Sequence, residues 1–211
     1  MAKAITRVYR YFPTEEYAAD FVRGQVWLTT FAECRGYEDR HRGDPSEGTQ
    51  QHGFGLIAGH GHDPAFRVQA ATRGIEVGSQ ARDVTIENIH TIDVLPNAWL
   101  LCASLEDKPD AMREFGAFCV KIVQPFQFAE RVAECLSRQV GLKEAKTGPV
   151  HYRSVVFGET ERPAGHAEFV KNTSYEWQKE YRMMFRSVNA REVYPRVFEC
   201  PDARTYLRRI R

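Results

Sequence analysis

Polar and apolar residues alternate over residues 5–12, where β-branched and aromatic side chains dominate, and this period of two predicts a strand. Pro13-Thr14-Glu15-Glu16 then reads as a helix start, with a capping hydroxyl and acids in the first turn. Tyr17, Ala18, Phe21 and Val22 form one apolar face and Gly24 closes the segment. A second strand is expected at 26–31. The most apolar run, 98–104, predicts a central strand, and 117–123 another. The longest helix is expected at 125–140: Pro125 opens it, Phe128, Val132, Leu136 and Val140 share a face, and Gly141 follows it. Short strands are expected as a meander at 54–58, 66–70, 74–77 and 89–94, and further strands at 150–157, 181–186 and 197–200. A short helix fits 110–115, and Asp202 suits the cap of a final one. Residues 34–51 read as a polar loop outside the core. Strands outnumber helices and the helices are separated. The pattern is α+β, with two packed, mainly antiparallel sheets, peripheral helices and a single domain over residues 1–211.

Composition narrows the classes. Hydrophobic residues make up 43% and aromatics 12%, which is globular. A formal net charge of +1 argues against a dedicated duplex-DNA binder. The basic end, Arg204-Thr205-Tyr206-Leu207-Arg208-Arg209-Ile210-Arg211, reads as a solvated helix face. With no signal-type apolar run and no stretch near twenty apolar residues, the expectation is a chain neither secreted by such a signal nor spanning a membrane. The five cysteines include no Cys-x-x-Cys pair, so neither a disulfide framework nor a zinc knuckle is expected. Cys102, Cys119 and Cys135 lie among apolar residues as buried thiols, which fits a reducing cytoplasm.

Several residues carry candidate chemistry. Gly59-His60-Gly61-His62-Asp63 offers two imidazoles and a carboxylate, but a turn is the favoured reading over a metal site. The loop acids Glu38, Asp39, Asp44 and Glu47 suit Mg²⁺-dependent nuclease chemistry, or ion pairing with Arg40 and Arg42. No Gly-x-Ser-x-Gly, Walker loop or helix-opening Gly-x-Gly-x-x-Gly is present. In Tyr175-Glu176-Trp177-Gln178-Lys179-Glu180-Tyr181-Arg182-Met183-Met184-Phe185, Gln178 and Glu180 stand two apart, so in an extended chain both face one side. The alternative is the polar edge of a strand. Arg10 lies in an otherwise apolar strand, where a charge is costly to bury without an anionic partner. A structural ion pair with Glu180, or an exposed edge, would account for it equally. Ser104 ends the central strand.

In chain order, Tyr9-Arg10-Tyr11, Cys102-Ala103-Ser104 and Gln178-Lys179-Glu180 resemble the Arg–Ser–Glu signature of mono-ADP-ribosyltransferases. The same residues, with the segment from Tyr175 to Arg182, resemble a broad family of uncharacterised bacterial proteins associated with phage defence. Only one Ser stands where the transferases have Ser-Thr-Ser, and Phe31-Ala32-Glu33-Cys34-Arg35 lacks the Asn-Asp-Pro of the second family. The resemblance implies an ADP-ribosyltransferase-like fold and use of NAD. It further implies a macromolecular acceptor, protein or RNA/DNA, and a toxin or antiviral defence role that allows an antitoxin partner. It makes Glu180, Gln178 and Ser104 catalytic, assigns NAD contacts to Arg10, Tyr9 and Ser104, and places Tyr175 and Trp177 at the acceptor. The alternatives are a catalytically inactive nucleic-acid- or protein-binding module of the same fold, and the nuclease built on the loop acids.

Overall fold

The computed structural model describes residues 4–38, 43–154, 156–157 and 167–211. The elements run β1 (Arg7–Phe12), α1 (Glu15–Val22), β2 (Gln25–Thr30), α2 (Phe31–Gly36), β3 (Thr49–Phe54), β4 (Ile57–Gly59), α3 (Pro64–Ala71), β5 (Val84–Ile86), β6 (Ile89–Val94), β7 (Trp99–Ser104), β8 (Phe118–Val123), α4 (Pro125–Val140), β9 (Leu142–Pro149), β10 (His151–Tyr152), β11 (Val156–Phe157), β12 (Val170–Lys171), β13 (Glu180–Ser187), β14 (Arg196–Glu199) and β15 (Leu207–Arg209), with short 3₁₀ turns between. This is a mixed α+β domain of mostly antiparallel sheets.

Eight strands form one connected sheet, ordered β14-β2-β7-β1-β8-β15, with β13 and then β9 on the other edge of β7. β13 covers the whole length of β7, Glu180 opposite Ser104 through Phe185 opposite Trp99. On the opposite edge, β2 holds only Leu100 and Trp99, through Thr29 and Thr30. β1 holds only Ser104, through Tyr9. The sheet therefore forks beside Leu101, Cys102 and Ala103. The expected two packed sheets become two branches of one sheet facing a common core. Val8, Phe12, Val120 and Ile122 enter that core from one branch, and Val26, Leu28 and Phe198 from the other. Phe21 of α1 and Phe128, Val132 and Leu136 of α4 join them.

The helices form where capping and period agree. Thr14 accepts the Tyr17 N–H at the start of α1. α4 begins at Pro125 and ends at Gly141, whose positive φ of 72° suits glycine. α3 replaces the strand expected at 66–70: Asp63 accepts the Ala65 N–H, Pro64 opens the helix, and Phe66 and Ala70, four apart, bury one face. A cap plus a helix-opening proline outweighs the apolar content that suggested a strand. Residues 74–77 form no strand, and the single strand expected at 54–58 is divided between β3 and β4. Residues 150–157 hold two short strands, each parallel to its partner.

The chain end is also corrected. A 3₁₀ turn covers Pro201–Tyr206 with no side-chain cap, and Asp202 meets Arg138 at 3.5 Å. β15 then adds an edge to β8, where a solvated helix was expected. Cys135 is no free thiol: it is disulfide-bonded to Cys200, which removes the cysteine argument for a reducing compartment. His60 and His62 stack at 5.3 Å while Asp63 caps α3, as a turn would have it. No helix among the described residues is long and apolar enough to cross a membrane.

Gly116 sets the end of β1. Its φ is 134°, and an added Cβ would overlap the Phe12 carbonyl oxygen. Gly116→Ala should therefore lower unfolding free energy by about 2 kcal/mol or more, the scale of a strained backbone plus a displaced neighbour, read by urea denaturation. An unchanged midpoint would mean that β1 is not held there.

Candidate functional site

A cavity of about 530 Å³ opens at the fork. Tyr9, Arg10, Ser104, Gln178 and Glu180 all line it, so three distant sequence segments converge. Tyr175 and Trp177 are not among the lining residues. The Tyr175 hydroxyl donates to the Gly43 carbonyl at 2.8 Å, and its ring lies 4.9 Å from the Lys171 ammonium. Trp177 packs 5.9 Å from Phe115, beside Tyr9, Tyr11 and Met112.

Arg10 is half-buried in the gap between the branches. Its Nη1 donates to the Cys102 carbonyl at 3.4 Å and its Nη2 to the Trp27 carbonyl at 3.2 Å. These carbonyls lie where β7 and β2 have parted, so the guanidinium replaces ladder bonds that the fork removes. The alternative of an ion pair with Glu180 is not met, and among the described residues no carboxylate faces Arg10. Burial pushes its pKa down to about 10, which leaves it charged at neutral pH.

Glu180 has other partners. Its Oε1 accepts from Arg182 Nε at 2.7 Å and its Oε2 from Lys171 Nζ at 3.2 Å. Lys171 also donates to Gln178 Oε1 at 2.9 Å and lies 3.5 Å from Glu47. Arg182 Nη1 lies 2.6 Å from Glu47. Two buried cations thus balance two buried carboxylates. Burial alone would raise the Glu180 pKa, but the charges of Arg182 and Lys171 outweigh it and hold the carboxyl below its ordinary range.

Gln178 and Glu180 reach the cavity differently from the expected alternation. Gln178 ends a 3₁₀ turn, and Lys179 takes a left-handed φ of 43° before Glu180 opens β13. The Lys179 carbonyl accepts from the Leu105 N–H at 2.7 Å, which fixes this step. Ser104 Oγ accepts from the Glu106 N–H at 3.2 Å and keeps its proton to donate. Burial keeps the two cavity thiols protonated. Burial pushes Cys34 up to about 12, and burial with the Glu180 charge drives Cys102 well above its usual value.

Two of the loop acids are not on the surface. Asp44 and Glu47 are buried, Glu47 faces two cations, and Asp44 Oδ1 accepts from the Ser46 N–H at 2.9 Å. Glu38 is exposed, and Asp39, Arg40 and Arg42 lie outside the described residues. The acids among the described residues do not converge as metal ligands. Lys171 and Arg182 were missed as site residues, and Glu47, named as a metal-ligand candidate, sits there as an ion-pair partner instead. Arg182 carried the same signal as Arg10, a charge inside an apolar strand, whereas Lys171 follows only Phe169-Val170. No family model, curated protein or solved structure matches the chain.

Arg182→Met leaves Glu47 and Glu180 facing one cation and should cost about 3–5 kcal/mol in urea unfolding. Adding Glu47→Gln restores one cation to one anion, so the double variant should cost less than the two singles summed. Additive losses would show that the four charges do not act as a unit. The Glu180 pKa is depressed in the folded state, so its contribution is complete above the unfolded value of about 4.3 and fades as pH falls below it. Stability against pH should show this acid loss, flattened in Glu180→Gln.

Proposed function

We propose that this chain is an NAD-dependent ADP-ribosyltransferase-like enzyme, with a fold of that type, which modifies a macromolecular acceptor, protein or nucleic acid, in a toxin or defence role. The observation that carries the proposal is the convergence of Arg10, Ser104, Gln178 and Glu180 on one cavity at the fork. A volume of about 530 Å³ falls in the range of small-molecule and cofactor sites. An anion-binding fork with no protein carboxylate, set in aromatic walls, suits a diphosphate flanked by flat rings.

NAD, when bound, supplies an ADP-ribosyl group on a bond whose cleavage builds positive charge at the sugar, as in glycoside hydrolysis. Arg10 holds phosphate oxygens. Glu180, with both oxygens oriented by Arg182 and Lys171, presents its remaining lone pairs to sugar hydroxyls and its charge to the developing cation. Ser104 donates its hydroxyl proton to an acceptor on the ligand. Lys171 fixes the Gln178 carboxamide beside Glu180, where the acceptor nucleophile enters. The nuclease alternative has less support, because Glu47 is committed to Lys171 and Arg182.

Labelled NAD incubated with protein and lysate, with and without nuclease, should label a macromolecule and release nicotinamide. Glu180→Gln should lower turnover by about 10² or more while retaining NAD binding at a temperature where both proteins are folded. Arg10→Lys should weaken NAD binding in calorimetry, since an ammonium cannot reproduce the bidentate fork. No NAD binding by the parent protein overturns the proposal. NAD binding without turnover in any lysate favours the inactive binding module, and chelator-sensitive cleavage of nucleic acid favours the nuclease.

A further inference from the structure

Two aromatic side chains beside the cavity are left open. Trp27 lies on β2 with Gln25 and Thr29, on the face opposite the buried Val26 and Leu28, and all three line the cavity. Tyr17 lines it from α1. Trp27 keeps 45% and Tyr17 57% of its surface exposed. Neither ring meets another among the described residues. Trp99, by contrast, is buried and meets the edge of Phe198 at 5.2 Å. An open indole and phenol face forgo the burial that large aromatics ordinarily supply.

The same cavity holds the uncompensated charge of Arg10, whose Nη2 donates to the carbonyl of Trp27 itself at 3.2 Å. Cation and indole are therefore tied to one residue. A ligand that satisfies both carries an anion close to a flat apolar ring. Simple acids and sugar phosphates satisfy the guanidinium but leave the rings open. Apolar ligands cover the rings but leave the guanidinium dry. A nucleotide, whose phosphate joins through a sugar to a base, meets both demands.

We propose that Trp27 and Tyr17 form a base-stacking subsite on the open side of the cavity, which takes the purine of the adenosine half of the ligand. Arg10 holds the adjoining phosphate, and the floor at Ser104 and Glu180 takes the other half. This assignment rests on the dinucleotide reading above. Stacking requires a flat face and no fixed hydrogen-bond pattern, which fits two exposed rings.

The test is calorimetry of AMP, nicotinamide mononucleotide and NAD on the parent protein, Trp27→Ala, Tyr17→Ala, Trp27→Phe and Phe126→Ala. Phe126 is 57% exposed on α4 and does not line the cavity, so it serves as the control. Trp27→Ala and Tyr17→Ala should each weaken AMP and NAD by about tenfold, the scale of one lost stacking partner, and leave nicotinamide mononucleotide unchanged. Trp27→Phe keeps a flat face and should retain most affinity, while Phe126→Ala should change none of the three. A protein that binds NAD but not AMP, or whose AMP affinity survives both alanine variants, overturns the subsite and leaves the dinucleotide reading standing. Equal losses for AMP and nicotinamide mononucleotide also overturn it, since they mark a general disturbance of the cavity. A parent protein that binds none of the three overturns both.

Discussion

β7 has two hydrogen-bonding edges and three strand neighbours. β13 takes one edge completely, so β1 and β2 must divide the other. Neither continues along it, and the backbone between their contacts would be left short of partners inside the protein, a cost comparable to lost hydrogen bonds. The guanidinium of Arg10 meets that need with two donors aimed at carbonyls on β7 and β2. The fork thus creates the cavity, and one side chain both satisfies the fork and charges the cavity. A smaller cation would supply the charge without the planar reach across two strands.

Charge balance then decides what the cavity attracts. Glu47 and Glu180 are matched by Lys171 and Arg182, and Asp20, which also lines the wall, is paired with Arg23. Every carboxylate lining the cavity has a cationic partner. Arg10 faces the Cys102 and Trp27 carbonyls and lies 5.6 and 5.5 Å from the Phe12 and Phe21 ring centroids, with no anion beside it among the described residues. Half-buried in the cavity, such a charge acts more strongly than on an open surface. On the proposed activity, that charge draws an anionic ligand even though the whole chain carries a net charge of only +1.

The parts of the fold legible in the sequence were those whose signal is local. α1, α4, β1, β7 and β8 carry caps, period and apolar runs within a few residues, and each formed near its expected bounds. β9 was invisible because its residues are mostly half-buried and mixed in character. The 34–51 segment misled because part of its polarity is internal: Asp44 and Glu47 are both buried, and Glu47 pairs with cations from strands more than a hundred residues away. The disulfide between Cys135 and Cys200 spans 65 residues and leaves no local trace. Arg10, Ser104 and Glu180 were found by chemistry out of place, polar groups on apolar strands. Their convergence rests on strand pairing that no single segment encodes.

The ion cluster under the cavity has a cost that stability alone does not recover. Removing four charges from water carries a penalty of several kcal/mol each, and apolar replacements of like volume are often as stable or more so. A cluster kept for stability would need little more than mutual pairing. This one does more. Glu180 is held at both oxygens by two different cations, and Lys171 holds Gln178 as well. The carboxylate is thereby fixed in orientation and kept ionised, while the left-handed Lys179 and the turn before it deliver Gln178 to the same wall. Fixing a charged group in advance is what an electrostatic role in catalysis requires, since a side chain that must reorganise during reaction gives up part of its effect. On the proposed activity, the cluster trades folding free energy for a preset carboxylate, and Lys171 and Arg182 are as much a part of the site as the glutamate they hold.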